Sequence, residues 1–213
     1  APRAVFRAAS GADDDTWAAL RRETARLSAV AAERLLAEWW KLCGGPFAVD
    51  AVRRMDEAGA LDVLFPELTA TKGVTQNAYH HLDVWEHSLL AMTYVARNLR
   101  HPEEVLQDLL PEFAPLLDDE RRRARLVFLG LIHDVGKPPT RTLRDDKVHF
   151  YGHDGAGAAI AAAIARRLRM SRADAGALTA VVRHHLRPLF LVRELARGGP
   201  SPRAMGHFFD DVG

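Results

Sequence analysis

The chain is poor in cysteine and has no long apolar run. Cys43 is the only cysteine among 213 residues, so no disulfide forms within one chain and no thiolate zinc cluster can be built. No stretch approaches the roughly 20 uninterrupted apolar residues that span a bilayer. The hydrophobic fraction of 48% and the charged fraction of 27% are ordinary. We therefore expect a soluble, cytoplasmic globular protein without membrane association.

Internal repeats and low-complexity linkers are also absent. The net charge of +1 is small, but it hides two arginine-rich groups, at 121–125 and 166–172. A solvated helix face is the more common explanation for such groups, and contact with the phosphates of a nucleic acid or nucleotide is the alternative. The chain begins without a methionine and stops without a helix-ending signal, which suggests a fragment of a longer protein.

Apolar spacings of four residues, alanine-rich faces and repeated capping residues predict an all-α fold. Ser28 is expected to cap a helix that runs to Cys43, where a Gly-Gly-Pro sequence ends it. Three prolines predict a broken connection over 101–119. The only strand signal lies at 141–152, where Asp145-Asp146 predicts the turn of a small β-hairpin.

Histidines carry the strongest chemical signal. His133-Asp134 follows the most apolar run of the chain, at 126–132, and an imidazole beside a carboxylate is costly to bury unless both are hydrogen-bonded or bound to a cation. Helix ends from separate parts of the chain can meet at one cavity, so the sequence predicts a metal site assembled from several helices. The other histidines at predicted helix ends are His87, His153 and the pair His184-His185.

The ligand types limit the choice of metal. A hydrogen-bonded core or surface residue is the more common explanation of any single histidine, but the set as a whole favours a metal. Imidazoles and a carboxylate without thiolates suit Mn, Fe, Co, Ni or Zn, whereas Ca prefers oxygen ligands alone. We expect one or two divalent ions, with Mg as the alternative to a transition metal.

The arrangement of these motifs resembles a known family. His87, the run His133-Asp134-x-Gly-Lys137, His153 and a late histidine resemble the HD-domain metal-dependent phosphohydrolases. The segments KGVTQNAYHHLDVWEHSLL, HDVGKPPT, FYGHDGAGA and HHLRP further resemble the helical part of bacterial tRNA nucleotidyltransferases and poly(A) polymerases, and ARLSAVAAERLLAEWWKL resembles their neck helices. The resemblance implies a neck-like helical segment at 1–66 and an HD-domain helical bundle at 67–213, cut short at its C-terminus.

The resemblance also implies roles for single residues. His87, His133 and Asp134 would be metal ligands. His153 and His185 would hold a second metal or a phosphate, with His184 as the alternative to His185. The last aspartate ligand of such domains is missing from its usual place, and the residues that could replace it are Asp210 and Asp211.

Further residues are expected around the reacting phosphate. Asp134 and Lys137 are the predicted catalytic residues, because a lysine one helical turn after the metal pair suits a phosphate oxygen. A lysine that faces the helix dipole is the alternative explanation. The weaker phosphate candidates are Arg141 and Arg187, and the residues that could line the pocket are Tyr79, His80 and His81.

These residues lead to two main functional hypotheses. The first is a metal-dependent phosphohydrolase acting on nucleotides or on terminal or cyclic phosphates of RNA. The second is the RNA-binding HD portion of a tRNA nucleotidyltransferase, with tRNA as partner and the catalytic head absent, because Asp13-Asp14-Asp15 lacks the glycine turn that positions a triphosphate. A relic domain that keeps its metal for stability alone is a third, and the oligomeric state is left open.

Overall fold

The computed structural model describes residues 14–76, 81–195 and 197–212. Over these ranges the chain is mainly helical and has one two-stranded sheet, so the predicted all-α fold with one hairpin is confirmed. Among the helices described, none is long and apolar enough to cross a membrane.

The N-terminal part consists of α1 (Asp14–Glu23), a 3₁₀ helix (Thr24–Ala29), α2 (Ala32–Gly44), α3 (Ala48–Glu57), α4 (Ala60–Leu64) and α5 (Pro66–Thr69). The rest consists of α6 (Val84–Arg100), α7 (Glu103–Leu106), a 3₁₀ helix (Gln107–Leu109), α8 (Leu110–Leu117), α9 (Glu120–Ile132), α10 (Lys137–Thr140), β1 (Thr142–Arg144), β2 (Lys147–His149), α11 (His153–Arg167), α12 (Arg172–His184), α13 (Arg187–Leu195) and α14 (Pro202–Val212).

One local prediction needs correction. Ser28 does not cap α2, because it lies inside the 3₁₀ helix and its hydroxyl donates to the carbonyl of Ala25 at 2.9 Å. Extended backbone at Val30 then separates the two helices, and α2 begins without a side-chain cap. The proline-rich connection is divided into short helices. Pro111 is tolerated in α8 because it lies in the first turn, where a backbone N–H has no helical partner to lose.

The hairpin forms where the sequence predicts it. β1 and β2 are antiparallel, and Arg144 pairs with Lys147, so the turn between them consists of Asp145 and Asp146. Both have positive φ, at 50° and 57°. These angles belong to a type I′ turn, whose twist matches that of the flanking strands.

The hydrophobic core is continuous from the N-terminal helices to the C-terminal ones. Trp39 of α2 lies 4.4 Å from Phe65 and 5.2 Å from Phe128 of α9, measured between ring centroids, and all three rings are buried. On its other side α9 approaches α6 closely at Gly130, where a Cβ would lie 3.0 Å from the Cα of Met92. The central helix α9 is therefore packed on two sides, which holds its C-terminal end in place.

Arginines of the second arginine-rich group bind the N-terminal part. Arg167, at the end of α11, donates two hydrogen bonds to the carboxylate of Glu67, at 2.6 and 2.8 Å, and a third to the carbonyl of Leu64 at 3.0 Å. Arg169 donates to Glu33 of α2 at 2.8 Å. These two arginines join distant segments instead of only facing solvent.

Arginines of the first group bind a buried carboxylate. Arg121 and Arg125 of α9 donate to the two oxygens of Asp174, at 2.9 and 3.0 Å, and Asp174 also accepts from the hydroxyl of Ser171 at 2.9 Å. Burial acts to raise the pKa of Asp174, but the bonds from Ser171 and Arg121 outweigh it and hold that pKa below its usual value. This cluster fixes the start of α12 against α9.

Candidate metal centre

The turn that follows α9 carries the central acidic group of the site. Asp134 is only 2% exposed, and it follows directly on His133, the residue that ends α9. The carbonyl of Asp134 accepts from the N–H of Lys137 at 3.0 Å, so the turn leads at once into α10. The carboxylate is thereby held inside the bundle, at the end of a largely buried helix.

Two histidines approach one oxygen of that carboxylate. The Nε2 atoms of His87 and His133 lie 3.4 and 3.1 Å from Oδ2 of Asp134 and 3.3 Å from each other. His87 belongs to the first turn of α6, and His133 follows the last turn of α9. These three side chains form a group that could hold a metal ion.

Two further histidines approach the other oxygen. The Nε2 atoms of His153 and His185 lie 3.5 and 3.4 Å from Oδ1 of Asp134 and 3.3 Å from each other. His153 begins α11 and His185 directly follows α12. Asp134 is therefore common to two groups of possible ligands, one on each oxygen.

Backbone carbonyls orient the rings of His133, His153 and His185. The Nδ1 atoms of His133, His153 and His185 lie 2.9, 2.7 and 2.8 Å from the carbonyl oxygens of the residues three positions earlier in the chain. A carbonyl only accepts, so each Nδ1 carries the hydrogen and each neutral ring turns the lone pair of Nε2 to the centre. Second bonds of this kind fix metal-binding histidines in many proteins.

The spacing of the donor atoms fits metal ions. When both rings are neutral, the Nε2 atoms of His153 and His185 face each other as two lone pairs without a hydrogen bond between them. A cation bound to both nitrogen atoms would stabilise this arrangement. Metal–nitrogen bonds of about 2.0–2.1 Å place tetrahedral ligand atoms roughly 3.3 Å apart. The separations within the His87 group are 3.1–3.4 Å, and those within the His153 group are 3.3–3.5 Å.

The charges of the site favour an ionised carboxylate. Burial acts to raise the pKa of Asp134, but the imidazoles of His133, His185 and His87 beside its carboxylate outweigh this effect and hold that pKa well below its usual value. Burial acts to lower the pKa of His133, and its bond with Asp134 raises it above the usual value. Burial lowers the pKa of His153, which keeps that ring neutral and able to bind a metal.

Lys137 lies inside the site instead of reaching out of it. It is 7% exposed, and its ammonium donates to Oδ2 of Asp134 and to the side-chain oxygen of Gln76, both at 2.7 Å. The ammonium also lies 5.4 Å from the ring centroid of Phe150. Sequence reasoning missed Gln76, because its loop has no periodic pattern that would place it beside the lysine.

The loop that carries Gln76 is anchored at the start of α6. Asp83 caps this helix, because its carboxylate accepts from the N–H of Glu86 at 2.8 Å, and it also accepts from the N–H of Gly73 at 2.7 Å. The glutamate does not complete a capping box, since its carboxylate binds the guanidinium of Arg53 at 2.9 and 2.6 Å.

Gly136 permits a close contact beside the metal ligands. A Cβ at this position would lie 2.0 Å from the carbonyl oxygen of His153 and 2.4 Å from the backbone nitrogen of Gly157. Only glycine lets the turn after α9 touch the first turn of α11 in this way. The glycine of the HDxG pattern therefore acts by packing, and it brings His153 close to Asp134.

Other predicted residues lie outside the two groups. His184 and Arg187 line a neighbouring cavity of about 670 Å³, which also borders His153. Arg141 is exposed and donates to the hydroxyl of Thr75 at 3.1 Å. Asp210 and His81 are exposed and belong to neither group. Tyr79, His80 and the side chain of Asp211 fall outside the described residues.

Comparison with known proteins matches two parts of the chain to two families. Residues 13–72 match the family described as the probable RNA and SrmB-binding site of polymerase A, and residues 84–202 match the HD domain. These ranges lie near the predicted boundary at 66, although the division into 1–66 and 67–213 stays a prediction.

Several bacterial proteins are similar to the chain. The A-adding tRNA nucleotidyltransferase of Deinococcus radiodurans is 34% identical over 163 residues, which are 76% of this chain and 33% of the relative. The CC-adding tRNA nucleotidyltransferase of Thermus thermophilus is 35% identical over 158 residues, 73% of this chain and 32% of the relative. A bifunctional uridylyltransferase/uridylyl-removing enzyme of Cereibacter sphaeroides is 31% identical over 137 residues, 64% of this chain and 13% of the relative.

The chain spans about a third of the length of the two tRNA nucleotidyltransferases that it matches. It combines a segment of the polymerase A RNA-binding family with a helical domain whose histidines and aspartate converge on one centre. The chain belongs to the HD-domain family, and it corresponds to the neck and HD region of the tRNA nucleotidyltransferases to which it is similar.

Proposed function

We propose that this chain is a metal-dependent phosphohydrolase that acts on terminal or cyclic phosphates of RNA, or on nucleotides, at a site for two divalent ions. One observation carries the proposal: Asp134 offers a different oxygen to each of two histidine pairs. Two-metal sites stabilise both the attacking and the leaving oxygen of phosphate displacements. Four imidazoles around one carboxylate favour Mn, Ni, Co or Fe over Mg.

The chain's own residues would act by holding charge. His87, His133 and Oδ2 of Asp134 would hold one ion, and His153, His185 and Oδ1 the other. Bound divalent ions supply a nucleophile at neutral pH and neutralise the charge on the phosphate. Asp134 is already ionised, and its burial excludes competing water. Lys137 holds a further positive charge beside Oδ2, and because its ammonium has three N–H donors, the predicted phosphate contact could be added to its bonds with Asp134 and Gln76.

A hydrolysis assay tests this function. The purified chain would be supplied with Mn, Ni or Co and given 2′,3′-cyclic nucleotides, nucleoside monophosphates and an RNA with a cyclic phosphate end. Asp134→Asn removes the charge shared by both groups and is expected to abolish turnover and metal retention. Asp108→Asn, at an exposed position outside both groups, is the matched control and should change neither. Retained metal without turnover on any substrate would reject the hydrolase and favour a structural role.

A second candidate is the RNA-binding HD portion of a tRNA nucleotidyltransferase, with the catalytic head supplied elsewhere. The match of residues 13–72 to an RNA-binding family favours it, and tRNA is then the partner and the cytoplasm the predicted location. Fluorescence anisotropy with labelled tRNA should show binding that weakens steeply with salt, because each neutralised phosphate releases counterions. Absence of binding at low salt would reject it.

A further inference from the structure

A groove with a strongly positive rim runs between α11 and α12. It has a volume of about 690 Å³, and its floor consists largely of alanine and glycine, so the helix backbones are accessible. Four arginines line it: Arg166, Arg169, Arg172 and Arg183. Among the residues that the structure describes, no acidic side chain belongs to its lining.

Most of these arginines are not used in holding the fold together. Arg169 binds Glu33, but Arg166, Arg172 and Arg183 are exposed and form no ion pair or hydrogen bond with the residues that the structure describes. They differ in this from Arg167 and from Arg121 and Arg125 of α9, which bind carboxylates. Three uncompensated guanidinium groups around one groove are suited to anionic phosphates.

The groove leads to the metal centre. Arg183 and His184 line both the groove and the cavity of about 670 Å³ that borders His153. Arg172 and Arg183 lie eleven positions apart on α12, which is roughly 16 Å at about 1.5 Å per residue. A stacked strand that rises about 3.4 Å per nucleotide would place four or five nucleotides along this length.

Exposed aromatic rings line the cavity that borders His153. Tyr151 is 73% exposed and Phe190 is 54% exposed, and both line the cavity that contains His153. The ring of Tyr151 stacks on His149 with centroids 5.0 Å apart and an angle of 11° between the planes. Exposed, supported rings of this kind stack on bases without reading their sequence.

We propose that this groove is the track for a single-stranded RNA whose 3′-terminal phosphate lies at the metal centre. Phosphates upstream of the end lie along Arg183, Arg172 and Arg166, and the terminal base stacks on Tyr151. The inference deepens the hydrolase function proposed above and rests on it for the position of the RNA end. The preferred substrate is then an RNA strand rather than a free mononucleotide.

Two substrates of different length test the track. One is an octanucleotide with a 2′,3′-cyclic phosphate end, and the other is 2′,3′-cyclic AMP. The double variant Arg166→Gln/Arg172→Gln should lower kcat/KM for the octanucleotide by about tenfold. The slope of log KM against log salt concentration should also fall by about 1.4, because two phosphate contacts are lost. The kcat/KM of the double variant for the mononucleotide should stay within twofold of the value for the unaltered protein. Tyr151→Ala should lower kcat/KM for both substrates by about fivefold, because both carry the terminal base.

A matched control uses an arginine elsewhere on the surface. Arg97→Gln on α6 removes an exposed salt bridge with Glu104 outside both cavities. This variant should leave kcat/KM unchanged for both substrates. An equal loss for both substrates in the double variant, or no loss for the octanucleotide, would overturn the track. So would double-stranded RNA that competes better than single-stranded RNA of the same length.

Failure of the hydrolase can be told apart from failure of the track. If the unaltered protein cleaves no substrate, the proposed function fails, and the track is then judged by anisotropy with a labelled octanucleotide that ends in a 3′-phosphate. Weaker binding by the double variant, with the Arg97→Gln protein unaffected, would support the track. Equal binding by all three proteins would reject it.

Discussion

Gly136→Ala should separate the metal ligands without changing any of them. The new Cβ would meet the carbonyl oxygen of His153 at 2.0 Å, the nitrogen of Gly157 at 2.4 Å and its Cα at 2.8 Å. All three are backbone atoms of α11, so no side chain can rotate to relieve the overlap. Restoring ordinary contacts requires the helix start to move by about 1 Å or more, and overpacking of this kind costs about 1–3 kcal/mol.

The displacement acts directly on the second group of ligands. His153 begins α11 and lies 3.5 Å from Oδ1 of Asp134, whereas metal–ligand distances hold to within about 0.2 Å. The variant should therefore keep one ion and lose most of the affinity for the other. A misplacement of about 1 Å near the reacting groups costs on the order of 10²-fold in rate.

Calorimetry and elemental analysis check this prediction. For a chain of this size, 1–3 kcal/mol corresponds to a fall in Tm of about 2–12 °C. Gly176→Ala is the matched control, because a Cβ at that position of α12 meets no atom within 4 Å, and it should raise stability by about 0.5–1 kcal/mol. Unchanged Tm and metal content in the Gly136→Ala protein would refute the close-contact argument.

Three further predictions concern metal, pH and the hairpin. Mn²⁺ at roughly 100 times its Kd should stabilise the fold by about 2.7 kcal/mol for each ion bound, or about 5–10 °C in Tm for each ion, and a similar shift in the Asp134→Asn protein would contradict the site. The folded-state pKa of Asp174 is lowered from its ordinary 3.8, so its stabilisation is full above that value and is lost as the pH falls through the folded-state pKa. Asp174→Asn should cost about 1–3 kcal/mol at pH 7 and should reduce the acid sensitivity seen in urea titrations as the pH falls from about 4 to about 2; parallel curves for the two proteins would refute this. Replacing Asp145-Asp146 by Asn-Gly should raise Tm by about 1–4 °C, because both positions have positive φ, and a lower Tm would show that the turn is not strained.

Much of the fold follows from local patterns. The hairpin was predictable because Asp145-Asp146 lies between short extended segments, and the helices were predictable from apolar spacing and caps. The Ser28 cap was wrong because a hydroxyl can bond backward to a carbonyl as readily as forward to an N–H. Local sequence does not distinguish these two choices.

The candidate site was only partly predictable. Histidines at predicted helix ends suggested one centre, but four remote positions do not reveal which carboxylate oxygen each ring approaches, because that depends on tertiary packing. The bond between Gln76 and Lys137 joins residues 61 positions apart, and no local pattern predicts it. The choice between His184 and His185 also depends on tertiary packing. Adjacent residues at a helix end face different directions, and of these two only His185 approaches Asp134.

The contact between Trp39 and Phe128 means that the two matched family segments share one interior. Deleting residues 1–66 would uncover aromatic rings that each bury about 150–250 Å², and would leave the truncated remainder prone to aggregate. Neither segment could be exchanged between relatives without an accompanying change in the other. We expect a single cooperative melting transition for the chain, so that calorimetry shows no separate transition for either matched segment.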